Sequence, residues 1–128
     1  MEKSNALYEL AAEIHADAVA HGWWEEERPL PEILMLCVSE LAEALEEYRA
    51  GRPMAYVWRP DISPAYMEED TAEWGPEDKP EGIATEMADC IIRILDYLAH
   101  AGVDVDDIVA RKIAFNKTRP YRHGGKRC

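Results

Sequence analysis

The chain is poor in cysteine: Cys37, Cys90 and Cys128 are odd in number, widely spaced and free of any CxxC pair or Cys/His cluster. That excludes a disulfide framework and a structural zinc site, and leaves three thiols expected to be reduced. No apolar run reaches the roughly 18 residues a membrane helix needs, and Met1-Glu2-Lys3-Ser4 lacks the basic and apolar blocks of a secretory leader. The expectation is a soluble, cytoplasmic protein with no membrane partner. A surplus of positive charge is also missing. The net charge of −12 argues against nucleic-acid binding, which requires a basic footprint on phosphates. Alternating strand patterns are absent, and so is Glu-x-x-His, which a carboxylate-bridged di-iron bundle would want on two helices.

Charge is present, but divided. All 26 Asp and Glu lie at or before Asp107, while 7 of the 14 Lys and Arg fall between Arg111 and Arg127. An acidic body with a basic tail suits a ligand that is both cationic and anionic, such as a metal-bound polyphosphate; a merely solvated basic end is the simpler alternative.

At 128 residues the chain fits one domain, 1–128. Periodicity and punctuation predict four helices in an all-α bundle. In the first, Leu7, Leu10, Ala11, Ile14, Ala18 and His21 share a stripe that stops at Gly22. The second starts near Pro29 or Pro31 and stops at Gly51, with Leu34, Val38, Leu41, Leu45 and Tyr48 as its expected core face. The third runs from about Gly82 to before Gly102, turning Met87, Ile91, Ile94, Leu95 and Leu98 inward. Asp104 caps the fourth, which carries Asp106 and Asp107 at the positive end of its dipole and ends near Asn116, before Pro120. Between the second and third helices, residues 51–82 form a long loop rich in proline and aromatics, as expected of a lid, an oligomer contact or a disordered acidic segment. Residues 117–128 form the basic tail.

Glu40 and Glu43 make one i,i+3 pair, and Glu86 and Asp89 another, each on one helix face. If the two helices pack antiparallel, four carboxylates converge, and a divalent cation relieves their repulsion. Carboxylates without His or Cys favour Mg2+ or Mn2+ over zinc. The competing explanation is a plain ion-pair network through Arg93, one turn from Asp89 and two from Glu86 on the same face. Lys112, Asn116 and Arg119 recur at i, i+4 and i+7 and lead into Arg122, a Gly pair and Lys126, a set suited to gripping phosphate.

Ser39-Glu40-Leu41-Ala42-Glu43, Glu86-Met87-Ala88-Asp89 and the run from Lys112 to Lys126 together resemble the ExxE, ExxD and K-x3-N-x2-R pattern of MazG-like nucleotide pyrophosphohydrolases. The order along the chain matches too, and the likeness covers all four helices but not the loop.

The resemblance implies an all-α bundle, assembled as a homodimer or homotetramer, that cuts a (d)NTP into a monophosphate and pyrophosphate. Glu40, Glu43, Glu86 and Asp89 would hold Mg2+, with Mn2+ as a substitute. Lys112, Asn116, Arg119, Arg122 and Lys126 would contact the phosphates, and Glu43 or Glu47 would take a proton from water. His21-Gly22-Trp23-Trp24 resembles the place where relatives hold the base, so His21, Trp23 and Trp24 are base-binding candidates; covering the core or an interface is the alternative. Two departures stand out. Ser39 occupies a position that is acidic in many relatives, which bears on the number of metals and keeps a non-cutting nucleotide sensor in play. The loop also separates Glu43 from Glu86 further than in compact members. From another class, a non-catalytic helical adaptor or oligomerisation module would need no metal.

Overall fold

The computed structural model describes residues 4–60 and 73–128. Among them are helices α1 (Ala6–Ala20), α2 (Leu30–Arg49), α3 (Ile83–His100) and α4 (Val105–Thr118), and a single turn, α5 (Arg122–Gly125), in which Arg122 and His123 take positive φ. The chain is all-helical among the described residues; an isolated antiparallel bridge, Trp58 to Glu81, is its β-type pairing. No described helix is long and apolar enough to cross a membrane. Two units divide the chain, Met1–Glu26 with Leu95–Cys128, and Glu27–Ile94, so α3 contributes residues to both.

In the first unit Ala11, Leu95 and Val105 form the buried centre, and Leu7, Ile14, Leu98 and Ala99 pack on it. The α1 stripe expected from the sequence is thus largely inward, although Leu10 and His21 are exposed. Asn5 precedes α1 without capping it through its side chain. Asp106 does so from α4: its carboxylate is buried and accepts from the backbone N–H groups of Leu7 (3.3 Å) and Tyr8 (2.8 Å). Asp104 caps α4 as its sequence position suggests, accepting from the Asp107 N–H at 3.1 Å.

The second unit departs from the expected burial. Ile33, Cys37, Glu40 and Ala44 are the buried residues of α2, whereas Leu34, Val38, Leu41, Leu45 and Tyr48 are all exposed. On α3, Ile83, Glu86 and Cys90 are buried while Met87, Ile91 and Ile94 are exposed; only Leu95 and Leu98 of that expected core face turn inward. The physical reason is a choice between two stripes. Each helix carries a long apolar stripe and a mixed stripe of small and acidic residues, and the mixed stripes face each other, bound by hydrogen-bonded carboxyls and by Arg93.

The long connection is pinned at its neck. Trp58 N–H donates to the Glu81 carbonyl (3.0 Å) and Glu81 N–H to the Trp58 carbonyl (2.8 Å). Gly82 follows at φ 149°, where a Cβ would come within 2.3 Å of the Tyr56 carbonyl oxygen, so no other residue fits without moving backbone. Buried Arg59 donates to Asp78 (3.1 Å) and to the Glu73 carbonyl (3.0 Å) and lies over the Trp74 ring. The acidic stretch Glu68-Glu69-Asp70, for which a lid or disorder was open, lies outside the described residues.

Candidate metal centre

Helices α2 and α3 run antiparallel through the second unit, because Glu43 is hydrogen-bonded to Glu86 while Glu40, one turn earlier, accepts from Arg93 Nε at 2.8 Å. Glu40, Glu43 and Glu86 each offer a carboxylate oxygen, and the three oxygens lie within 4.8 Å of one another. Two ligands of one magnesium ion sit at most about 4.2 Å apart, since each Mg–O bond is about 2.1 Å. At least two of the three separations must be those of cis ligands, about 3.0 Å, so side-chain movements of up to an ångström or more would let the three share an ion, and an all-oxygen, carboxylate donor set fits Mg2+ or Mn2+. Asp89, expected as a fourth ligand, is half-buried on the same stretch of α3 but is not one of the three that converge.

The electrostatics are those of crowded like charges. Burial, then hydrogen bonds with Glu81 and Glu43, pushes the Glu86 carboxyl up to about 9, so at neutral pH it keeps its proton. The hydrogen bond from Glu86 holds the Glu81 carboxyl below its usual range, with help from Lys79 at 2.9 Å. The same contact to Glu81 raises the Lys79 ammonium. Burial raises Asp89, with Glu40 adding and Arg93 opposing. The proton that Glu86 retains thus stands where a divalent cation would do the same work of neutralisation.

Beside these groups a cavity of about 390 Å³ is lined by Glu43, Glu46, Glu47, Glu81 and Glu86, with Lys79 and Ala42. Glu47, a candidate base, is already engaged: Trp58 Nε1 donates to it at 3.0 Å and Arg52 pairs with it while covering the Trp58 ring at 4.0 Å. Sequence reasoning missed Glu81 and Lys79. They precede the helix that bears Glu86, and the backbone bridge from Glu81 to Trp58 pins the segment that carries them beside the cavity. Arg93 was foreseen as a partner of Glu86 and Asp89, but its hydrogen bond crosses to Glu40.

The remaining candidates lie in the first unit. Lys112, Asn116, Arg122 and Lys126 are exposed and Arg119 half-buried; Lys112 and Arg119 flank the Phe115 ring at 5.3 and 5.7 Å. His21 is exposed, its Nδ1 2.7 Å from the Asp17 carbonyl, and Trp23 is 60% exposed. Trp24 is half-buried: its Nε1 donates to both oxygens of Asp96 at 3.0 and 3.1 Å, and its ring stacks on His100 at 3.9 Å. His15 Nδ1 reaches the same carboxylate at 2.7 Å.

No protein family, no curated protein and no solved structure matches the chain.

Proposed function

We propose that the chain is a magnesium-dependent nucleoside triphosphate pyrophosphohydrolase, converting a (d)NTP and water into a (d)NMP and pyrophosphate. The observation that carries this is the convergence of Glu40, Glu43 and Glu86 at the edge of a carboxylate-lined cavity. These three would hold Mg2+, or Mn2+ in its place, with Asp89 one turn away from Glu86. When bound, the ion supplies charge neutralisation for the phosphates and a water of lowered pKa. Glu43 is exposed towards the cavity and suits the role of proton acceptor for a water attacking the α-phosphorus; Glu47 is held by Trp58 and Arg52. Lys79, the cation lining the cavity, is placed to meet a phosphate oxygen. Lys112, Asn116, Arg119, Arg122 and Lys126 as phosphate contacts, and His21, Trp23 and Trp24 as base contacts, rest on the resemblance alone.

The exposed stripe Leu34, Val38, Leu41, Leu45 and Tyr48 favours a homodimer or homotetramer, since an apolar face of this length is costly to leave in water. Sedimentation of the wild type and of Leu41→Glu tests this; a monomeric wild type refutes it.

One observation favours a second reading. Arg93 already neutralises Glu40, as it would in a non-catalytic helical sensor or adaptor whose acidic face needs no ion. Product analysis separates the two. The purified protein is incubated with each dNTP and NTP, and with dUTP, with Mg2+ or with EDTA. Monophosphate and pyrophosphate formed only with metal are expected; intact nucleotide throughout would overturn the hydrolase.

A further inference from the structure

Arg93 reaches from α3 to α2, where its Nε donates to Glu40 Oε1 at 2.8 Å. It is not among the residues that line the cavity beside the carboxylates, so any influence it has on a ligand there runs through Glu40. Glu40 is only 7% exposed, and a carboxylate so far from water needs a positive partner. Two arginines of the same unit serve carboxylates in different ways. Arg59 is 3% exposed, donates to both Asp78 and the Glu73 carbonyl and lies over the Trp74 ring, which fixes it in the fold. The Arg93 side chain is 36% exposed, and among the described residues Glu40 is the acceptor of its one hydrogen bond. Water already reaches this guanidinium and can take over its donors, so the pair with Glu40 is one that can open.

We propose, building on the metal-centre reading above, that Arg93 is a positioning residue: an internal counter-ion that holds Glu40 until a divalent cation takes that carboxylate, and that then swings out to solvent. Arg93 and the cation are competitors, because both place positive charge against the same buried carboxylate and repel each other there. The guanidinium therefore raises the cation concentration at which the site fills, and in the meantime it keeps Glu40 charged and in place beside Glu43 and Glu86. A pair that served the fold alone would stay closed whether or not the ion was bound.

Two measurements on the full chain test the hand-over. The first is a Mn2+ titration, with free Mn2+ read by electron paramagnetic resonance, on the wild type, Arg93→Gln, Arg93→Lys and Glu40→Gln. Arg93→Gln should bind on the order of 10-fold more tightly than the wild type, and Arg93→Lys, which restores the charge, should return close to the wild-type affinity. Equal or weaker binding by Arg93→Gln would overturn the competition. Should that variant not fold, the wild type decides: its 15N-labelled Arg93 Nε–H signal, assigned by its loss in Arg93→Lys, should be protected from exchange in EDTA and lose that protection at saturating Mg2+. A signal that keeps its protection overturns the hand-over. No Mn2+ binding by the wild type sinks the metal centre and this role with it. Binding that Glu40→Gln abolishes and Arg93→Gln leaves unmoved sinks the role of Arg93 alone.

Discussion

Both units bury carboxylates, and they treat them in opposite ways. In the first, Asp106 accepts two backbone N–H groups and Asp96 accepts from Trp24 and meets His15, so each acid faces donors. In the second, Glu86 faces Glu43 and Glu81, and burial among them pushes its carboxyl up to about 9. Acids surrounded by donors hold a fold together; acids surrounded by acids cost stability and persist where a cation or a proton transfer gives them a use. Glu40, paired with Arg93, stands between the two cases.

The sharpest break of that contrast is activity. Under the hydrolase proposal, Glu43→Gln should lower turnover by on the order of 1,000-fold or more, about 4 kcal/mol of barrier, while Asp96→Asn should leave the metal response intact. Retained turnover in Glu43→Gln would move the chemistry elsewhere. Next comes the metal itself. Mn2+ at about 100 times its Kd should stabilise the wild type by roughly 2.7 kcal/mol, and Glu40→Gln should abolish that gain, as read from thermal melts with and without EDTA. On the other side of the comparison, Asp106→Ala should cost about 2 kcal/mol by leaving two N–H groups of α1 without an acceptor, with the Mn2+ response unchanged.

The pH dependence distinguishes the two environments again. Glu86 has its pKa raised from 4.5 to about 9, so between those values the folded chain holds a proton that the unfolded chain releases. Its contribution to stability is therefore greatest below pH 4.5 and is lost as pH rises through 9. Glu86→Gln, neutral throughout, should gain on the wild type as pH climbs across that window in urea melts; a constant difference would show that Glu86 is not held protonated. The smallest effect concerns the tail. Lys112→Ala or Arg119→Ala should weaken triphosphate affinity by about 1 to 2 kcal/mol, and unchanged kinetics would remove these residues from the site.

Helix positions were legible in the sequence because proline, glycine and Asp104 punctuate strong 3.6-residue periods. The inward face of α2 was not. Leu34, Val38, Leu41 and Leu45 look like a core, but Ile33, Cys37 and Ala44 form a second stripe, and periodicity alone cannot choose between two stripes on one helix. The convergence of Glu40, Glu43 and Glu86 could be inferred from two i,i+3 pairs on neighbouring helices. Asp89 shares the spacing yet is not among the three. Glu81 and the capping role of Asp106 were invisible, since both depend on contacts between residues far apart in sequence, Glu81 with Trp58 and Asp106 with Leu7 and Tyr8.

The neck at Trp58, Glu81 and Gly82 acts as the starting block of α3. Paired backbone hydrogen bonds hold Trp58 to Glu81, and the glycine that follows admits no side chain beside the Tyr56 carbonyl, so the phase in which Glu86 enters α3 is set before the helix begins. In laboratory evolution Gly82 is the residue to leave alone.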